Sequence, residues 1–169
     1  MSYPFAPPVA AGHNSIDWEI TALAWRGTIL DLFARAEYSI DECLAQLREA
    51  GFDPGPDIHH PGARTRNRAL SDLLERDSFT GHAPSCIKKL ASWRELLKQR
   101  AMIAHGEMTV MPQGASFRYR EHRGKSAAVA HEVTLTRMEM LALLARLRAD
   151  QLRLHQQLGQ IKAAAKRGS

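Results

Sequence analysis

Cysteine is nearly absent: Cys43 and Cys86 are the two in 169 residues, one bridge at most, so a disulfide framework is excluded. Long apolar runs are absent as well. The run at 141–145, LALLA, is broken at once by Arg146, far short of the roughly 18 residues that a bilayer span needs. The opening MSYPFAPPVAAGHNS has neither the basic start nor the apolar stretch of a secretory leader. These absences lead to the expectation of a cytoplasmic protein that makes no membrane contact. No glycine-rich phosphate loop and no Ser/His/Asp arrangement can be picked out. His59, His60, His82, Cys43 and Cys86 stand at no recognised ligand spacing, so neither a metal nor a cofactor is expected.

What is present describes one globular domain. Apolar residues make up 44% of the chain and charged residues 24%, enough to bury a core without staples. Lys and Arg outnumber Asp and Glu by 23 to 18, which favours an anionic partner, nucleic acid first.

Residues 1–13 carry three prolines and small side chains and read as a flexible arm. Asn14 and Ser15 offer N-cap oxygens, and Asp17 and Glu19 suit the positive end of a helix. Trp18, Ala22, Trp25, Ile29, Leu32, Ala36, Ile40, Cys43 and Leu47 then follow at steps of three and four, the seam of one long amphipathic helix ending at Ala50-Gly51. Three prolines and two glycines punctuate residues 52–62. A shorter helix is predicted from Ala63 to about Arg76. A third runs from Pro84-Ser85 to His105, with Gly106 as its stop and a stripe of Cys86, Leu90, Trp93, Leu97, Ala101 and Ala104. The period then changes to alternation: Met108 and Val110, Phe117 and Tyr119, and Val129, His131, Val133 and Leu135. With turns at 112–114 and 123–125, this is a three-stranded meander. Thr136 to Glu139 form a capping box that opens a last helix through Met140, Leu144, Leu147, Leu154, Leu158 and Ile161. The expected architecture is mainly α: four to five helices over residues 14–162, a β insert at about 107–135 between the third and last helices, and a basic tail at 163–169.

The end of the third helix holds the most chemistry. Residues five apart on a helix are separated by about 140° around its axis. Measured from Leu97 as stripe centre, Arg100 falls about 60° to one side and His105 about 80° to the other. One straight helix therefore cannot aim both at a single phosphate. Either the helix end distorts, or two copies pool their residues. A helix C-terminus favours a cation, which suits His105, and Arg100 carries a planar fork fitted to phosphate oxygens.

The pattern Arg100, four residues, His105, set in Ile103-Ala104-His105-Gly106, resembles the motif of the HEPN superfamily. The order of elements is similar over roughly residues 15–162. The resemblance implies a helical bundle that dimerises with its motif helices side by side. In catalytic members this makes a metal-independent endoribonuclease site, with Arg100 and His105 as the carried-over pair. It also implies a toxin of a toxin–antitoxin or defence module, held in check by an antitoxin or other inhibitory protein. Active relatives often carry Asn, Asp or His directly after the arginine. Here that position is Ala101, which favours the alternative, a non-catalytic homodimer that binds RNA or a protein.

Metal-free cleavage of RNA needs a base for the 2′-hydroxyl, a positive clamp on the phosphorane and an acid for the departing 5′-oxygen. Histidine serves as base or acid and arginine as clamp. A base in one copy and an acid in the other predict a bell-shaped rate profile centred between about pH 6 and 8.

Further RNA contacts are expected from Arg118 and Arg120, which share a strand face with His122 opposite Phe117 and Tyr119. Arg64 and Arg68 share a helix face that can track a phosphate backbone. Solvated faces are the competing reading for both sets. Trp18, Trp25 and Trp93 lie on helical seams and are assigned to packing, not base stacking.

Overall fold

The structure, a computed structural model, describes residues 13–76, 81–121 and 129–168. Residues 1–12 of the expected arm, His122 and the turn expected at 123–125 lie outside them.

Apolar residues at steps of three and four lay one stripe along α1 (His13–Glu49), and Ala22, Trp25, Ile29, Ala36, Ile40, Cys43 and Leu47 on it are buried. Asn14 and Ser15 lie inside its first turn, because the helix starts at His13. Gly51 ends it at φ 91°, where Gly51 N–H reaches the Arg48 carbonyl and Phe52 N–H the Leu47 carbonyl, both at 3.0 Å. That left-handed closure is what a glycine after a helix provides. A short 3-10 turn (Pro56–His59) leads to α2 (Ala63–Arg76), and α3 (Ala83–His105) follows.

The chain turns from α3 into β1 (Glu107–Met111) at Gly106, whose N–H bonds the Met102 carbonyl at 2.8 Å. A Cβ there would lie 2.3 Å from that oxygen, so the exit needs glycine. β1, β2 (Gly114–Glu121) and β3 (Val129–Thr136) form an antiparallel meander in that order, with Met108 opposite Phe117 and Phe117 opposite Val133. Ala115 and Phe117 are fully buried against the helices, while Arg118 and Arg120 point outward. The Trp18 indole donates to the Met111 carbonyl at 2.8 Å, tying the hairpin to α1.

The capping box closes as expected. Thr136 N–H and hydroxyl both donate to Glu139 Oε2 at 2.8 Å, and Glu139 N–H returns to Thr136 Oγ1 at 3.2 Å. Behind it α4 (Arg137–Gly168) runs parallel to α1. Trp25 pairs with Met140, Ser39 with His155 and Glu42 with Lys162. The helix continues through 163–168 and buries Ala165. α3 runs antiparallel to α1, with Arg26 near Ala104 and Phe33 edge-on to Trp93. The protein is thus mainly helical, four α-helices with a small sheet between the third and the last. No helix of the described residues is long and apolar enough to cross a membrane.

The stripe on α3 differs from the sequence expectation. Cys86, Leu90 and Trp93 are buried, but Ala101 is exposed and Leu97 and Ala104 are half-buried. Leu96, Met102 and Ile103 are buried in their place. The packing partner changes along the helix: α2 has 14 residues against the 23 of α3, and beyond its reach α3 packs on α4 and β2. Larger side chains on the new side take the core positions.

Candidate functional site

That rotation of the buried face decides where the motif points. From the line through Leu96 and Ile103, Arg100 lies about 40–60° away and His105 about 160–180° away. His105 therefore stands on the outer face instead of flanking the core. α3 remains α-helical up to His105, so a distorted helix end does not bring the two residues together.

Arg100 turns toward α1. Its Nε lies 2.5 Å from Glu37 Oε1, and Nη2 lies 3.5 Å from Glu37 Oε2. The Glu37 side chain is 15% exposed and that of Arg100 38%. A guanidinium has five donor hydrogens. The carboxylate engages one edge and leaves the Nη1 edge for another anion.

His105 turns toward the sheet. It lines an open cleft of about 610 Å³ with Ala101, Glu107, Arg118, Tyr119, Arg120 and Ala130. Among the described residues the His105 side chain has no hydrogen-bond partner and Arg120 no ion pair. Arg118 bonds Glu107, its cross-strand neighbour, through Nη2 at 2.5 Å and Nε at 3.1 Å. That hydrogen bond, with the carboxylate charge, holds the Arg118 guanidinium even more firmly protonated than usual. Tyr119 forms one wall and stacks on His131 at 5.2 Å between ring centroids.

The sequence reading missed the residue that holds this corner. Arg26 of α1 reaches across to the end of α3. Its Nε donates to the Ile103 carbonyl at 2.8 Å, and its Nη2 to the Ala104 and Gly106 carbonyls at 3.0 Å each. These are carbonyls a helix end leaves without intrahelical partners. A fixed cation satisfies them, so His105 is not needed as their cap. The signal available was a lone arginine beside Trp25 at the edge of an apolar seam; Glu37 interrupts the same helix in the same way.

The other sequence candidates are distributed as follows. The structure brings Arg118 and Arg120 to His105, but not Arg100. Arg64 and Arg68 line a separate cleft on α2, joined by Arg94 of α3. The tryptophans serve in packing and tying: Trp25 and Trp93 are buried, and Trp18 is half-buried under the Arg137 guanidinium. Burial pushes the Cys43 and Cys86 thiols up to about 12, so both are inert core groups. Among the described residues no group of three or more His, Cys, Asp or Glu could hold a metal.

Comparison with protein-family models, with curated proteins and with solved structures returns no match.

Proposed function

We propose that the protein is a metal-independent endoribonuclease whose working site forms where two copies bring their α3 ends together. The observation that carries this reading is the His105 cleft. An exposed imidazole with no partner among the described residues stands beside Arg118 and Arg120, on a helix end that Arg26 already holds. In this reading one His105 takes the 2′-hydroxyl proton, and the oxygen attacks phosphorus. The bond to the 5′-oxygen breaks, and the second His105 protonates that oxygen, leaving a cyclic phosphate and a 5′-hydroxyl. Arg100 clamps the phosphorane with the edge that Glu37 leaves open.

The face around Arg100 supports the pairing. Leu30 and Ala34 lie between the Arg26 and Glu37 ties on α1, and Ala101 and Ala104 lie between them on α3. Leu23, Ala34, Tyr38 and Ala101 are exposed there, a small and apolar surface on which two helices can approach closely. A ribonuclease acting in its own cell also needs restraint, so an antitoxin-like inhibitory partner belongs to this reading.

One observation favours a second reading, a dimer that binds RNA or a protein and cuts nothing. The Arg100–Glu37 pair already neutralises the motif arginine within its own chain, and Ala101 offers no polar group beside it. Incubation of purified protein with mixed RNA in chelator separates the two. Cleavage by the wild type that is lost in His105→Ala supports the ribonuclease. Binding without cleavage supports the second reading.

A further inference from the structure

The outer line of α3 runs from His105 to a second basic cleft. Arg94 precedes His105 by eleven residues, three full turns plus about 20°, which places it on the same face roughly 16 Å away along the axis. Lys98 and Ala101 lie within about 40° of that line. Lys98, Ala101 and His105 are exposed and Arg94 is half-buried. At the far end Arg94 meets Arg64 and Arg68 of α2 around a cleft of about 340 Å³ that also includes Ser71, Asp72 and Glu75.

One cation of this second cleft is held in place and the other two stand on its exposed rim. The Arg94 Nη1 donates to Ser71 Oγ at 3.2 Å, and Ser71, which is 2% exposed, donates in turn to the Asn67 carbonyl at 3.2 Å. Arg68 stands 3.8 Å from Asp72, with both side chains mostly in solvent. Among the described residues Arg64 has no ion pair, although Glu95 feels its charge and is itself held low chiefly by Lys98. Four cations, Arg64, Arg68, Arg94 and Lys98, thus face three carboxylates, Asp72, Glu75 and Glu95. Exposed pairs of this kind contribute little, so a phosphate can replace a carboxylate at small cost.

We infer that the Arg64–Arg68–Arg94 cleft is a second phosphate subsite for the RNA strand whose reacting phosphate lies at His105. This rests on the ribonuclease reading only for the position of the cut; the binding claim stands apart from it. A span of roughly 16 Å takes on the order of three to five phosphates of a single strand. The substrate is then a strand of several nucleotides lying along α3, and a dinucleotide fills one end alone.

The test is binding of fluorescein-labelled single-stranded RNA of mixed sequence, 12 and 3 nucleotides long, followed by anisotropy over a range of salt. The proteins are the wild type, Arg64→Gln/Arg94→Gln, and Arg64→Gln/Arg68→Gln, whose positions are exposed and do not touch the Ser71 tie. Each lost phosphate contact lowers the slope of log affinity on log salt by about 0.7 for a single strand. Both variants are expected to lose about 0.7–1.4 of slope on the 12-mer and to weaken it several-fold at low salt. The 3-mer cannot reach both clefts and divides between them, so its slope should fall by clearly less than that of the 12-mer. An unchanged slope on the 12-mer, or an equal loss on the 3-mer, overturns the inference, including where the arginines instead hold an acidic protein. A wild type that binds the 12-mer steeply and cuts nothing removes the ribonuclease reading and leaves the subsite standing.

Discussion

The two sides of the α3 end are held in opposite ways. On the α1 side the groups are tied within the fold: Arg26 takes the Ile103, Ala104 and Gly106 carbonyls, and Glu37 pairs with Arg100. On the sheet side His105 and Arg120 face an open cleft with no partner among the described residues. Residues five apart on one helix thus have different duties. The tied side fixes the position of the helix end, and the open side leaves an imidazole and a guanidinium facing the cleft. A motif read only as a pair hides this division.

The largest effect should come from the open side. His105→Ala is expected to lower RNA cleavage by about 100- to 10,000-fold, the range for loss of a general acid–base. Its thermal stability should stay within about 0.5 kcal/mol of wild type, as for exposed substitutions that break no contact. A fall in stability comparable to a core substitution would move His105 to the tied side.

Arg26→Ala should show the reverse pattern. It removes a charged donor from three carbonyls and should cost on the order of 3 kcal/mol in denaturant unfolding. Arg26→Lys keeps the charge without the fork and should recover only part of it. A loss below about 0.5 kcal/mol would show that solvent caps this helix end equally well.

Arg100→Ala sharpens the comparison, because Arg100 is tied and also assigned to chemistry. Leaving Glu37, 15% exposed, without its partner should cost about 1–2 kcal/mol. Glu37→Gln in the same background should remove most of that cost, giving a clear coupling in a double-mutant cycle. Cleavage should stay lost in the double variant, since Glu37 has no role in the clamp. Recovery of activity there would assign Arg100 to structure alone.

The smallest effect is on pH. Glu139 is held below the ordinary carboxylate range by the Thr136 N–H and hydroxyl, and Glu42 by its hydrogen bond to Lys162. A carboxylate whose folded value lies below its unfolded one stabilises fully above the unfolded value and loses that contribution as pH falls through the folded one. Stability should therefore decline modestly as pH drops from about 5 toward 3, and Glu139→Gln should flatten part of that decline. An unchanged slope in Glu139→Gln would mean the capping box contributes nothing measurable.

Much of this was legible in the residues. Gly51, Gly106 and the Thr136–Glu139 box mark helix boundaries by local chemistry, and local chemistry does not depend on what the rest of the chain does. The meander followed from a change of period between Met108 and Leu135. The stripe on the second half of α3 was not legible, because its partner changes from α2 to the sheet and α4 part-way along. Sequence periodicity assumes one buried side, and on that assumption Ala101 and Ala104 take core positions that Met102 and Ile103 in fact hold. Arg26, Glu37 and Arg94 escaped for a related reason. Each acts on a residue at least 23 positions away, through a contact that only the packed helices create.

In the proposed ribonuclease, the tied and open sides of α3 work together only across two copies. Light scattering on the purified chain at micromolar concentration, with RNA cleavage read from the same samples on dilution, tests it most directly. The expected result is about twice the 18.9 kDa chain mass and a specific activity that falls as the dimer dissociates. A stable monomer that cuts RNA with undiminished specific activity would contradict it.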